Sequence, residues 1–380
     1  MIAVIADDLT GAAELAGIGL NYGLNVEISA KVPSVSQIDL LVIATDTRSK
    51  TEDEAVADML EVTKQIALLK PEFIFKKVDS VLRGYIVSEI NAQLKVLEYK
   101  KALLIPANPA LGRTIENGNY LIDGIPISQT GFSSDPEFPA RHSVVLDLLK
   151  SDPAVHVRKY SDPVMENGIT VGETKSDSDL LGWAKLGTKD VLLAGASGFF
   201  RAVLSKAGFI KKANHQSSEI LSGPLLYVFG SAFSKSKDIA KNILSGGGPV
   251  YYLPEALING KDNNRELDRC SDEICNLINI NEKAIIAIDA LKEIPVSALE
   301  LRTIMAQLVK KVFNKVNIKE LIIEGGSTAS AILKSLEIET LKPVNEYATG
   351  VIRSKVNSEE NLYVTLKPGS YSWPNQVLTF

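Results

Sequence analysis

Short apolar runs alternate with amphipathic stretches along nearly the whole chain, which predicts mostly parallel sheets with helices on both faces. Aliphatic and β-branched runs at 2–6, 25–32, 40–44, 73–78, 102–106 and 191–194 read as buried strands. Helical spacing of apolar positions fits 52–69, 85–97 and 179–186. Between 117 and 171 Gly, Pro and Asp punctuate short strand-like pieces, which predicts hairpins inserted into the sheet or appended to it. The alternation resumes with strands at 225–229, 250–253, 284–288 and 320–323, and helices at 235–244, 268–278, 297–316 and from Ser327. The polar stretch 211–223 reads as a linker. Two α/β domains, 1–215 and 220–380, are therefore expected, with an interdomain cleft as the place for a small ligand.

Length agrees, since 380 residues exceed one ordinary core. A net charge of -5 gives no electrostatic footprint for nucleic acid, although a local basic pocket stays open. Cys270 and Cys275 sit five apart in a predicted helix with no histidine nearby to complete a zinc set, and read as reduced thiols. Three histidines (His142, His156, His215) stock a Ser-His-Asp hydrolase or zinc enzyme poorly, and no residue is assigned to a metal. Met1 precedes an apolar strand without a basic flank, and no apolar run approaches the ~18 residues of a membrane span. A cytoplasmic protein without membrane or nucleic-acid partners is expected, and a homodimer is admitted without being required.

Chemistry-bearing residues gather where predicted strands end. Asp7 and Asp8 follow the first strand, with Thr10 as helix N-cap and Gly11 at the turn. Ligands of open α/β sheets bind at that edge, and a paired acid there can hold hydroxyls, a metal or a proton in transit. The alternative is one Asp capping a turn and the other solvated. Lys76, Lys77, Asp79, Ser80 and Arg83 end another strand, and Arg83 suits a carboxylate clamp. Pro106-Ala107-Asn108-Pro109 leads to Arg113, a second cation. In the second half Gly230-Ser231, with Ser234 following, and Gly325-Gly326-Ser327-Thr328 join strands to helices, and Lys367-Pro368-Gly369-Ser370 follows the last strand. Three such turns suit a nucleotide phosphate cradle, yet none is a Walker A or dinucleotide fingerprint. Asp289, Glu346 and the Glu52–Glu54 acids read as caps or solvated faces.

At these residues the sequence resembles the four-carbon acid sugar kinase family, which includes threonate, erythronate and 3-oxo-tetronate kinases. Residues 6–14 (ADDLTGAAE) resemble its Asp-Asp-x-Thr-Gly-Ala opening, and 76–84 (KKVDSVLRG) its Lys-x-Asp-Ser-Thr-Leu-Arg-Gly motif, with Val81 in place of Thr. Residues 106–113 and 117–128 resemble its Pro-Ala-x-Pro…Gly-Arg segment and the hairpin after it. The resemblance implies a sugar-acid domain followed by a nucleotide domain. It implies an acceptor site of Asp7, Asp8, Lys77, Asp79, Arg83 and Arg113, with Asp8, Asp79 and Arg83 in catalysis. It implies ATP and Mg²⁺ on Gly230, Ser231, Ser234, Gly325, Gly326, Ser327, Thr328 and Gly369. The departures fall mostly in the second half: Phe233 for Ser, Ser327 for Glu, and KPGSYSWP for a turn richer in glycine.

The leading expectation is therefore ATP-dependent phosphorylation of a terminal hydroxyl on a small sugar acid. One of Asp7, Asp8 or Asp79 would take or orient the hydroxyl proton, and Arg83, with Arg113, would bind the carboxylate. The competing expectation is a non-catalytic sugar-acid sensor that has lost ATP. A dehydrogenase is disfavoured because Gly-x-Gly-x-x-Gly follows neither domain's first strand.

Overall fold

The first apolar run forms β1 (Ile2–Ala6), whose five residues are all buried, as expected for a strand covered on both faces. In the computed structural model the described residues are 1–380 apart from 35–36, 136, 163–166, 213–220, 231–233, 260–262, 289–295, 360 and 379. The chain divides into two compact units, Met1–Ala213 and Asn214–Phe380. Most of the polar linker stretch, His215 and Asp289 lie outside the described residues.

In the first unit β1 is followed by β2 (Val26–Ser29), β3 (Leu40–Ala44), β4 (Ile74–Lys77) and β5 (Lys101–Ile105). Then come β6 (Arg113–Glu116), β7 (Asn119–Ile122), β8 (Ile125–Pro126), β9 (Val155–Arg158), β10 (Gly168–Gly172) and β11 (Val191–Gly195). The main sheet runs β2-β3-β1-β4-β11-β5-β10-β9 and is parallel throughout. β2 and β3 lie on one side of β1 and β4 on the other, so β1 marks a topological switch point. Below it Phe75 packs on Phe199 and Phe200 at ring-centroid distances of 6.0 and 5.0 Å. On the other face Met59 and Ile66 of the helix Glu52–Leu68 cover Ala3, Ile5, Leu41 and Ile43. Each such fully buried large side chain contributes about 1.5–3 kcal/mol, which makes the sheet a firm base for its loops.

The expected hairpin region is smaller than its punctuation suggests. Among the described residues of this stretch, β6-β7-β8 form the antiparallel sheet, while β9 and β10 extend the parallel one. Val155, Ile169 and Val171 are core residues, so burial on the parallel sheet prevails over the turn-rich sequence between them.

The second unit contains β12 (Leu225–Phe229), β13 (Val250–Tyr252), β14 (Lys283–Ala287), β15 (Glu320–Glu324), β16 (Thr340–Ala348), β17 (Val351–Val356) and β18 (Tyr363–Lys367). Their order is β13-β14-β12-β15-β18-β17-β16, parallel from β13 to β18. The β16–β17 hairpin, absent from the sequence reading, is antiparallel, with register shifts at Pro343/Asn345 and Glu346/Ala348. Pro343 within the run weakens its strand signal, and the register shift beside it tolerates the proline. Cys270 and Cys275 are free and buried. Among the described residues no helix is long and apolar enough to cross a membrane.

Candidate functional site

Three neighbouring strands, β3, β1 and β4, deliver their carboxyl ends to one place in the first unit. Asp8, not Thr10, is the N-cap of the helix Leu9–Asn21: its extended backbone lets the carboxylate accept from Gly11 N–H at 2.9 Å. Thr10 instead donates its hydroxyl to Asp8 at 2.6 Å. One acid is thus a cap, as the simpler alternative had it, but Asp7 beside it is buried rather than solvated.

Arg48 organises the cluster. Its Nη2 lies 2.8 Å from Asp7 and 3.2 Å from Asp8, and its Nη1 3.5 Å from Asp79. The strand reading ended at Ala44 and passed over Arg48, although a cation four residues past a parallel strand's carboxyl end is a usable signal. Arg83 grips Asp79 bidentately at 2.9 and 3.0 Å and reaches Asp135 at 3.1 Å. The amides of Val81 and Arg83 also donate to Asp79. Arg113 donates to Ser80, and the Phe132 ring lies 5.8 and 5.9 Å from the Arg83 and Arg113 guanidiniums. Lys77, buried beside Gly11, donates to the carbonyl of Val78 at 2.8 Å. All six expected acceptor residues therefore meet in one charged cluster, joined by Arg48, Asp135 and Phe132. Val81, standing for the family's Thr, points into the apolar core.

Burial drives the Asp8 pKa up, but Arg48, Lys77 and the Thr10 hydroxyl outweigh it and hold the carboxyl below its ordinary value. Burial acts on Asp79 in the same sense, and Arg83 and Arg48 hold it well below that value. Both are carboxylates at neutral pH. Asp7 Oδ1 is buried with no hydrogen-bond partner among the described residues. Asn108 is tied to the helix Ser197–Lys206 by a 2.9 Å bond to Ser197, so the Pro-rich exit of β5 is anchored.

In the second unit Gly230, Gly325 and Gly369 emerge after β12, β15 and β18, three adjacent parallel strands. A Cβ on Gly230 would stand 2.3 Å from Thr328 Oγ1, so the first two turns touch only because residue 230 is glycine. Gly325 has φ +96 and opens the helix Gly326–Ser335 without a side-chain cap, leaving main-chain amides at its start. Gly326, Ser327 and Thr328 form that first turn. Ser231 and Phe233 lie outside the described residues, as does the side chain of Ser234, which begins the helix Ser234–Ser245.

Residues 2–203 match a family model described as a sugar-binding N-terminal domain, and residues 226–371 one described as a nucleotide-binding C-terminal domain. A D-threonate kinase of Salmonella typhimurium is 26% identical over 97% of this chain and 94% of its own length. A D-erythronate kinase of Heliobacterium modesticaldum is 30% identical over 43% of this chain and 41% of its own length. A 3-oxo-tetronate kinase of Pseudomonas savastanoi is 23% identical over 98% of this chain and 94% of its own length. Among solved structures, one from Salmonella typhimurium aligns with a TM-score of 0.79 at 18% identity, covering 99% of this chain and 98% of that one. One from Haemophilus influenzae gives 0.71 at 20% identity, covering 98% of each. These two carry the fold. The relatives that span both halves are named as kinases, which does not favour a binding-only sensor.

Proposed function

The chain belongs to the four-carbon acid sugar kinase family, and from that premise we propose that it moves the terminal phosphoryl group of ATP to a hydroxyl of a four-carbon sugar acid. One observation carries the acceptor side: three carboxylates at the ends of β1 and β4, knitted by Arg48, in the half that matches a sugar-binding domain.

Charge pairing assigns the roles. Arg48 and Arg83 are bonded to carboxylates and Lys77 acts electrostatically on Asp8 and Asp79, whereas Arg113 is bonded to a neutral oxygen, on Ser80. The substrate carboxylate therefore goes to Arg113, and Arg83 fixes Asp79. Asp8 and Asp79 already accept several hydrogen bonds, while Asp7 Oδ1 accepts none among the described residues. Asp7 thus receives the acceptor hydroxyl. The hydroxyl oxygen forms the new bond to the terminal phosphorus, the bond to the bridging oxygen breaks, ADP leaves, and the proton passes to Asp7. Phosphoryl transfer asks mainly for positioning and charge neutralisation, which this arrangement supplies.

The nucleotide side fits an anion: the glycine turns offer amides rather than side chains at neighbouring strand ends. Gly230, Ser231 and Ser234, with Gly325 to Thr328 and Gly369, would hold the phosphates. Mg²⁺, when bound with them, supplies charge neutralisation. We place the enzyme in the cytoplasm, with ATP and a small acid as its partners. A coupled ADP-release screen over four-carbon aldonates and their 2- and 3-oxo forms tests the proposal. Acid-dependent ADP release is expected with at least one of them, and release with none contradicts it.

A further inference from the structure

The last residues of β12, β15 and β18 lie side by side in register: Phe229 opposite Glu324, and Glu324 opposite Lys367. Each immediately precedes one of the three glycine-bearing turns, and each meets the same side chain, Trp373. The Trp373 indole N–H donates to Glu324 at 2.8 Å, and its ring stacks on Phe229 at 6.1 Å between centroids. The Lys367 ammonium lies 5.1 Å from that ring and 3.1 Å from Glu324.

Lys367 is fully buried and reaches back into its own turn. It donates to the carbonyls of Pro368 at 2.8 Å and Tyr371 at 2.7 Å, and approaches that of Gly369 at 3.5 Å. In a trans peptide the C=O and the following N–H point in opposite directions. Carbonyls drawn inward to an ammonium therefore turn the amides of Gly369 and Ser370 to the other side of the loop, away from the cation. The same layer links the turns through the main chain, with Gly325 N–H donating to Lys367 O at 3.0 Å.

We infer that Lys367, Glu324 and Trp373 are positioning residues that lock Gly230, the Gly325–Thr328 turn and the Gly369 turn into one phosphate-binding surface without touching the nucleotide. A buried cation here does what extra glycines would do in a more flexible turn: it dictates the peptide orientations of KPGSYSWP. The inference rests on nucleotide binding by the second half of the chain.

Trp183 and Trp373 are the two tryptophans, so Trp183→Phe leaves Trp373 as sole reporter. Titration of that protein with a non-hydrolysable ATP analogue and Mg²⁺ should change the Trp373 emission saturably. In the same background Lys367→Met should raise the nucleotide dissociation constant by at least ~10-fold while circular dichroism shows a folded chain. Should the lone carboxylate left by that change unfold the protein, Lys367→Met/Glu324→Leu removes both charges and is read in the same way. Trp373→Phe, followed by calorimetry, keeps the stacked ring and loses the indole bond, and should weaken nucleotide binding by roughly 3- to 10-fold. A folded Lys367 variant that binds nucleotide as the parent does would overturn this inference and leave the kinase reading standing. No nucleotide response from the unmodified chain would sink both.

Discussion

Arg48 holds Asp7 through two nitrogens, Nε at 3.0 Å and Nη2 at 2.8 Å, both on a single carboxylate oxygen. The other oxygen of Asp7 has no hydrogen-bond partner among the described residues, and the same guanidinium offsets Asp8 and Asp79. Arg48→Met would leave three buried carboxylates facing one another. Loss of one partner from a buried charged set costs about 3–5 kcal/mol. Urea unfolding should register a destabilisation of that order, and kcat/KM should fall at least ~100-fold. Arg48→Lys should recover part of the stability and little of the rate. A wild-type rate in Arg48→Met would refute this role.

Arg113 and Arg83 are predicted to separate kinetically. Arg113→Met removes a charge-assisted contact to the substrate carboxylate of about 1.5–3 kcal/mol, so KM for the acid should rise by ~10- to 100-fold with kcat less affected. Arg83→Met frees Asp79 from its bidentate hold and should lower kcat more than it raises KM. Steady-state kinetics on both variants decide the assignment, and the reverse pattern returns the carboxylate to Arg83.

Acid stability follows from the same cluster. The Asp79 and Asp8 pKa values are depressed in the folded chain relative to the ordinary 3.8. Below that value the unfolded chain binds protons the folded chain refuses, so stability rises with pH there. Their contribution is fully present above the ordinary value and is lost as pH falls through the lower folded values. Chemical unfolding from pH 7 downward should show these groups acting only below about pH 4. Asp79→Asn should flatten that acid limb, and an unchanged limb would count against the pairing.

Lys76 and Glu89 form a separate ion pair, wholly buried between β4 and the helix Ile86–Leu97. Either Lys76→Met or Glu89→Leu alone should cost about 3–5 kcal/mol by stranding the remaining charge, whereas the double replacement should regain most of it. Thermal or urea midpoints of the three variants measure this. Additive losses would mean that the two side chains do not act as a pair.

Legibility was uneven for physical reasons. Strand periodicity exposed β1, β3 and β12 because both faces are buried and the runs are apolar throughout, while β4 and β5 were legible from shorter apolar stretches beside their lysines. The acidic and basic residues at strand ends were visible because that edge needs charge, not packing. Arg48 was missed because the short turn carrying it, Thr47–Ser49, has no hydrophobic period to draw attention. The parallel pairing of β9 and β10 depends on long-range contacts that no local pattern encodes. Lys367 was legible only as the head of its turn and Trp373 only as part of KPGSYSWP, since only the assembled sheet brings Phe229, Glu324 and Lys367 into one row.

The claim on which the account turns is phosphoryl transfer from ATP to a four-carbon sugar acid. Phosphorus NMR of the protein with Mg-ATP and each candidate acid observes that bond directly. A new phosphomonoester resonance should grow in step with ADP and be strongly reduced in Asp7→Asn. Free phosphate as the only product, or an unaltered ATP spectrum with every acid, would contradict it.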